Sequence, residues 1–116
     1  MSISLDDPMS LTITVESEKT HVSLFLSGQV DTKSAPELLD TLTKIELPTI
    51  NELRIHAFEL TFLSSAGLRA LVFAKQKMPH TSRLILVGGS EEINTTVIRT
   101  GLGSAVTIVA TIDDLD

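Results

Sequence analysis

Two adjacent serines, Ser64 and Ser65, are the side chains of this sequence best placed for chemistry. They stand directly before an apolar segment with helical spacing, so either hydroxyl could be a nucleophile or could cap the helix. A serine hydrolase would read Gly-x-Ser-x-Gly and use a histidine partner. The glycine two positions before each serine is missing. The local pattern therefore favours a helix cap over nucleophilic catalysis.

No other group of residues indicates a reaction centre. The three histidines, His21, His56 and His80, show no metal-ligand spacing, and the chain has no cysteine. Residues 88–91, Gly-Gly-Ser-Glu, lack the Gly-x-Gly-x-x-Gly and Gly-Lys-Ser/Thr phosphate-binding patterns. We therefore predict no catalytic residues, no metal site and no cofactor.

Periodicity predicts the elements that must position the serine pair. Residues 11–15 alternate apolar and polar types, and Val22, Leu24 and Leu26 line one face of a second strand, which together predict an antiparallel hairpin. Strand patterning returns at residues 53–58, 84–87 and 106–109. One helix is predicted to begin at Ser34, with Pro36 in its first turn and Glu37 completing a capping box. A second is predicted over residues 63–78 and a third from Ser90, ending at Gly101.

This order, ββαβαβαβ, defines the fold class. Strands that alternate with helices predict an α/β protein with a mostly parallel sheet. The opening hairpin adds an antiparallel pair, so we expect a four- or five-stranded mixed sheet with helices. Aromatic residues are scarce, with four Phe, no Trp and no Tyr, so the core must consist of Leu, Ile, Val and Ala.

Length and charge limit the classes of function. The 116 residues suffice for one domain, predicted at residues 11–116 after a flexible N-terminus at residues 1–10. Nine basic and fifteen acidic residues give a net charge of −6, which disfavours nucleic acid and anionic membrane surfaces. The sequence shows neither a signal peptide nor an apolar run of membrane-spanning length. We expect a cytoplasmic protein without direct membrane insertion.

Three segments, in order, resemble the STAS family, and within it the single-domain anti-sigma factor antagonists. Residues 26–31 with residues 34–38 resemble the family's second strand and first helix start. Residues 60–71 resemble its signature loop and second helix, commonly written Asp-Ser-Ser/Thr-Gly-Leu. Thr100-Gly101-Leu102 resembles the break before the last strand. The similarity covers about residues 11–110, and its most specific part is the middle segment.

The resemblance implies a STAS fold and a phosphorylation switch without enzymatic activity. In the family, the unphosphorylated antagonist binds a switch-type serine kinase or anti-sigma factor. The kinase then phosphorylates the serine that starts the second helix, and a metal-dependent serine phosphatase reverses this. That serine corresponds to Ser65, with Ser64 as second choice, and Ser64 stands where the family commonly has aspartate. The expected partner-binding residues are Asp31, Ser34, Leu63, Ser64, Ser65, Ala66, Gly67 and Leu68.

The alternative function keeps the same fold. STAS domains also occur as subunits of membrane lipid or anion transporter complexes, which bind an ATPase or permease instead of a kinase. The sequence discriminates poorly between these two uses. A small enzyme is the less favoured reading, because no convergent His, Cys or paired carboxylates are present.

Overall fold

A computed structural model describes residues 11–100 and 105–115. Five strands form one sheet in the order β1-β2-β3-β4-β5. The strands are β1 Leu11–Ser17, β2 His21–Val30, β3 Glu52–Leu63, β4 Arg83–Val87 and β5 Val106–Val109. β1 pairs antiparallel with β2, and the remaining neighbours pair in parallel. The predicted α/β class and mixed sheet are confirmed.

Three α-helices connect the parallel strands: α1 Ala35–Thr43, α2 Ser65–Lys77 and α3 Glu91–Arg99. The sheet advances by one strand after each helix, and parallel crossovers are right-handed, so all three helices lie on the same face. The helix end predicted at Gly101 and the segment 100–102 fall largely outside the described residues. The predicted flexible segment 1–10 also lies outside them.

The core lies between this helical layer and the sheet. Its fully buried apolar side chains are Leu, Ile, Val and Ala with one methionine, Met78. Among the described residues, the aromatic side chain that packs against this core, Phe73, is only partly buried. All four residues of the short strand segment 84–87 are buried, as its unbroken apolar run predicts. On the other face Phe25 stacks on His56 with ring centroids 4.2 Å apart. His56 is therefore a packing residue, as expected for an isolated histidine.

Two predicted boundaries are wrong. The third strand was expected to end at residue 58, but β3 continues to Leu63 through register shifts in its pairing with β2. Consequently α2 begins at Ser65, and Leu63 belongs to the strand. Gly28, which has a φ of 100°, lies at one of these shifts, in a conformation that side chains rarely adopt.

The predicted capping box of Ser34 and Glu37 is also wrong. The Ser34 side chain does not cap α1. Its Oγ donates to the Gln29 carbonyl at 2.8 Å and accepts from the Asp31 N–H at 2.9 Å. Asp31 instead stabilises the turn that precedes α1, where its Oδ1 accepts from the N–H groups of Lys33 and Ser34, both at 2.9 Å. Pro36 does occupy the first turn of α1, as predicted.

Candidate functional site

The ends of β2 and β3 bring the predicted site residues together. Val30 and Leu63 are register partners, and the Ser64 N–H donates to the Val30 carbonyl at 2.8 Å. Asp31 and Ser64 follow these two residues directly, so the start of α1 and the start of α2 lie side by side. Loops at the carboxyl edge of parallel strands are a common place for binding residues.

The two serines at the start of α2 have different environments. Ser64 is the N-cap, and its Oγ accepts the Gly67 N–H at 3.2 Å. Ser64 is half-buried, whereas Ser65 is exposed in the first turn. The Ser64 hydroxyl thus does what an aspartate carboxylate would do at an N-cap. A serine can therefore cap α2 in place of the aspartate that the resemblance implies at this position.

Gly67 lets α2 approach the sheet closely. A Cβ on Gly67 would lie about 2.5 Å from Val30 Cγ1 and 2.7 Å from Leu63 Cδ1. Leu63 and Leu68 are themselves 5% and 4% exposed, and Gly67 is buried. These three predicted partner-binding residues are therefore buried beneath the site, and little of their side-chain surface is accessible to a partner. The accessible part of the predicted patch is Asp31, Ser34, Ser64, Ser65 and Ala66.

The turn between β2 and α1 is held by reciprocal hydrogen bonds between Asp31 and Ser34. The Ser34 N–H, the Ser34 hydroxyl and the Lys33 N–H all bind the Asp31 carboxylate, and together they lower its pKa below the ordinary 3.8. Burial opposes this effect without reversing it. Asp31 is therefore a fixed negative charge at neutral pH. An Asp-x-x-Ser spacing before a helix was the sequence signal for this arrangement.

An apolar groove of about 320 Å³ runs between α1 and α2 beside Ser65. It is lined by Thr32, Ala35, Pro36 and Leu39 from the α1 side and by Ala66, Arg69, Ala70 and Phe73 from α2. Leu39 is 38% exposed although it is apolar. Sequence reasoning missed this groove, because it depends on how the two helices pack against each other.

Among residues 11–100 and 105–115, no group of three or more His, Asp or Glu side chains could hold a metal ion. No helix in this part of the chain is long and apolar enough to cross a membrane. What the site presents is an exposed hydroxyl, a fixed carboxylate and an apolar groove on one surface.

A family model described as the STAS domain matches residues 12–115. The chain belongs to the STAS domain family. Two curated relatives, from Listeria monocytogenes and Listeria innocua, are each named anti-sigma-B factor antagonist. Each is 28% identical over 102 residues, covering 86% of this chain and 90% of the relative.

Solved structures resemble this fold. An anti-sigma factor antagonist from Mycobacterium paratuberculosis superposes with a TM-score of 0.82 at 25% identity, covering 95% of this chain and 94% of that one. The Bacillus cell fate determinant SpoIIAA in its phosphorylated form has a TM-score of 0.68 at 17% identity, covering 90% and 96%. The expected STAS fold is confirmed.

Proposed function

We propose that this protein is an anti-sigma factor antagonist whose binding is switched by phosphorylation of Ser65. In this proposal the unmodified form binds a switch-type serine kinase or anti-sigma factor, and the modified form is released. A metal-dependent serine phosphatase restores the binding form. The protein has no catalytic role of its own, it is a substrate of enzymes, and its place of action is the cytoplasm.

The observation that carries the proposal is the different use of the two adjacent hydroxyls. Ser64 accepts the Gly67 N–H and is half-buried, so its hydroxyl has a structural role. Ser65 is exposed and no side-chain hydrogen bond engages it within the described residues. A kinase must reach the acceptor hydroxyl and position it in line with a phosphoryl group. Ser65 meets that requirement better than Ser64.

The physical consequence of modification supports release. Phosphoserine adds a charge of about −1.5 to −2 and three acceptor oxygens. A partner surface fitted to a neutral hydroxyl would have to bury this charge beside the fixed carboxylate of Asp31. Burying charge that the partner surface does not compensate costs several kcal/mol, and about 4 kcal/mol corresponds to a roughly thousandfold loss of affinity. The relatives named anti-sigma-B factor antagonist support the identity of the partner.

The test compares three forms of the chain against one purified anti-sigma kinase. Wild type, Ser65→Ala and Ser64→Ala are incubated with the kinase and ATP, and fragment mass spectrometry locates the phosphate. We expect modification of wild type and Ser64→Ala, and none of Ser65→Ala. Phosphate found on Ser64 alone would show that the acceptor is assigned to the wrong serine.

Affinities measured by calorimetry complete the test. Ser65→Ala is expected to bind the kinase as tightly as unmodified wild type, Ser65→Glu at least about tenfold more weakly, and the phosphorylated protein more weakly still. Carboxylates imitate phosphoserine imperfectly, so the phosphorylated protein is the stricter comparison. Equal affinity of the phosphorylated and unmodified forms would end the switch proposal and favour a transporter-associated STAS subunit.

A further inference from the structure

Arg69 lies one helical turn after Ser65 on α2, and both side chains are exposed. Residues four apart on an α-helix are surface neighbours, with about 5–6 Å between their Cβ atoms. Within residues 11–100 and 105–115, no salt bridge or side-chain hydrogen bond engages the Arg69 guanidinium. The first turn of α2 holds no acidic residue. Arg69 is therefore a cation without a local counterion.

Arg69 is also the charged residue among those that line the groove between α1 and α2. The opposite wall, Thr32, Ala35, Pro36 and Leu39, contributes no charge. The electrostatic character of the groove therefore depends on whether the guanidinium is free or paired. An anionic group on Ser65 that pairs with Arg69 would therefore also change the charge of the groove.

We propose that phosphate on Ser65 forms a charge-assisted ion pair with Arg69. This inference rests on the proposed modification of Ser65 and adds a second effect to it. Phosphorylation places negative charge at the start of α2, and it also neutralises the cation of the adjoining groove. Guanidinium groups bind phosphate in a bidentate fork, which favours arginine over lysine in this role.

The charged groups near Ser65 and Arg69 do not titrate in the pH range of the second phosphoserine ionisation. The adjoining turn contributes the Asp31 carboxylate, which is ionised well below the range in which phosphoserine titrates, and Lys33, whose backbone N–H binds Asp31. The second pKa of phosphoserine is about 6. A nearby guanidinium favours the dianion and lowers that pKa.

The experiment installs phosphoserine at position 65 by genetic encoding, so it needs neither kinase nor partner. Phosphorus NMR then gives the second phosphate pKa. We expect this pKa to be about 0.4 pH unit lower in the wild-type background than in Arg69→Gln. Arg69→Lys, which keeps the charge but loses the fork, should fall between them. Arg99→Gln, in the last turn of α3 at the opposite edge of the sheet, is the matched control and should leave the pKa unchanged.

A second readout is the Arg69 Nε–Hε resonance, which should shift when wild type carries the phosphate. Identical phosphate titration in wild type and Arg69→Gln, or an Arg69 resonance unmoved by the phosphate, would overturn the pair. Such a result leaves the Ser65 switch standing, because partner affinity is measured separately. Equal partner affinity of the modified and unmodified forms would end the switch while leaving the ion pair intact.

Discussion

At the scale of single residues, the start of α2 separates a structural serine from an accessible one. Ser64 satisfies a backbone N–H that the first turn of any helix leaves without an intrahelical partner. The exposed Ser65 side chain makes no such hydrogen bond, so its hydroxyl is accessible to an enzyme. This division explains how two adjacent identical side chains can have different roles. It also makes their substitutions distinguishable by stability alone.

Ser64→Ala is predicted to lower the free energy of unfolding by about 1 kcal/mol, because the N-cap acceptor is lost. Ser65→Ala should change it by less than about 0.5 kcal/mol, since the side chain is exposed and unbonded. Ser64→Asp should keep the cap and stay near wild type. Urea denaturation of the three variants measures these differences. Equal effects of the two alanine substitutions would contradict the assignment of the cap.

Asp31 makes a pH-dependent contribution to stability. Hydrogen bonds, chiefly from the Ser34 backbone, lower its folded-state pKa below the ordinary 3.8. A lowered carboxyl pKa contributes stability that is fully present above the unfolded-state pKa and is lost as the pH falls through the folded-state pKa. The predicted effect therefore disappears only in acid, below about pH 4.

Asp31→Ala should destabilise the protein at pH 7, and its difference from wild type should shrink as the pH approaches about 2. Chemical denaturation across this range measures the difference, in which the titration of carboxylates common to both proteins cancels. Asp31→Asn is the matched control, because neither variant titrates at this position. The free-energy gap between Asp31→Ala and Asp31→Asn should therefore be independent of pH. A wild-type difference from Asp31→Ala that stays constant in acid would contradict the role of the carboxylate.

At the scale of elements, the packing of α2 against the sheet determines where Ser65 stands. Gly67, Leu71 and Ala74 of α2, with Met78 at its C-cap, recur at helical spacing, and the structure buries all four. This series begins with a glycine because Val30 and Leu63 occupy the space that a Cβ would need. Close approach at this point sets the first turn of α2 directly beside the end of β2.

Gly67→Ala is predicted to destabilise the fold by about 1–3 kcal/mol, because steric overlap outweighs the helix propensity gained. The same substitution in a Val30→Ala background should cost less, since the nearest conflicting atoms are removed. A double-mutant cycle by urea denaturation measures this coupling. Stabilisation by Gly67→Ala in the wild-type background would show that the predicted overlap does not exist.

At the scale of the whole molecule, a single core joins all three helices to one face of the sheet. Such a core has one packing arrangement, so few alternative conformations are available for phosphorylation to stabilise. A negative group at the start of α2 is also favourable to that helix, because the first turn carries the positive end of the helix dipole. The modification is therefore expected to act on the surface of an unchanged domain.

Backbone amide NMR of the protein with phosphoserine at position 65 is predicted to show changes confined to the start of α2, the β2–α1 turn and the groove. Residues of β5 and α3 should keep their shifts. Ser65→Asp should melt cooperatively, with a stability within about 1 kcal/mol of wild type. Shift changes spread through the sheet, or a much larger loss of stability, would point to a conformational switch instead.

Much of the fold follows from local pattern. Alternation predicted the opening hairpin, and the apolar runs predicted β4 and β5, the latter over the same residues 106–109 that the structure assigns. Ser90 followed by two glutamates predicted the start of α3, and Ser90 Oγ does accept the Ile93 N–H at 3.2 Å. These features depend on residues close in sequence, so the sequence predicts them without knowledge of the tertiary structure.

Other features depend on contacts between distant segments. The extension of β3 to Leu63 is supported by pairing with β2, some thirty residues earlier, which no local window contains. The Ser34 side chain does not cap α1, because its hydroxyl is engaged by the Gln29 carbonyl and the Asp31 N–H. The groove beside Ser65 exists only where α1 and α2 pack together.

The sequence alone determined the succession of elements, the serine pair at a helix start and the likeness to STAS proteins. Only the tertiary structure decided which serine hydroxyl is free, which predicted partner residues are buried and which cation adjoins the site. The physical reason is that propensity and periodicity act between neighbours along the chain. Exposure and hydrogen-bond competition arise when strands and helices from distant positions meet.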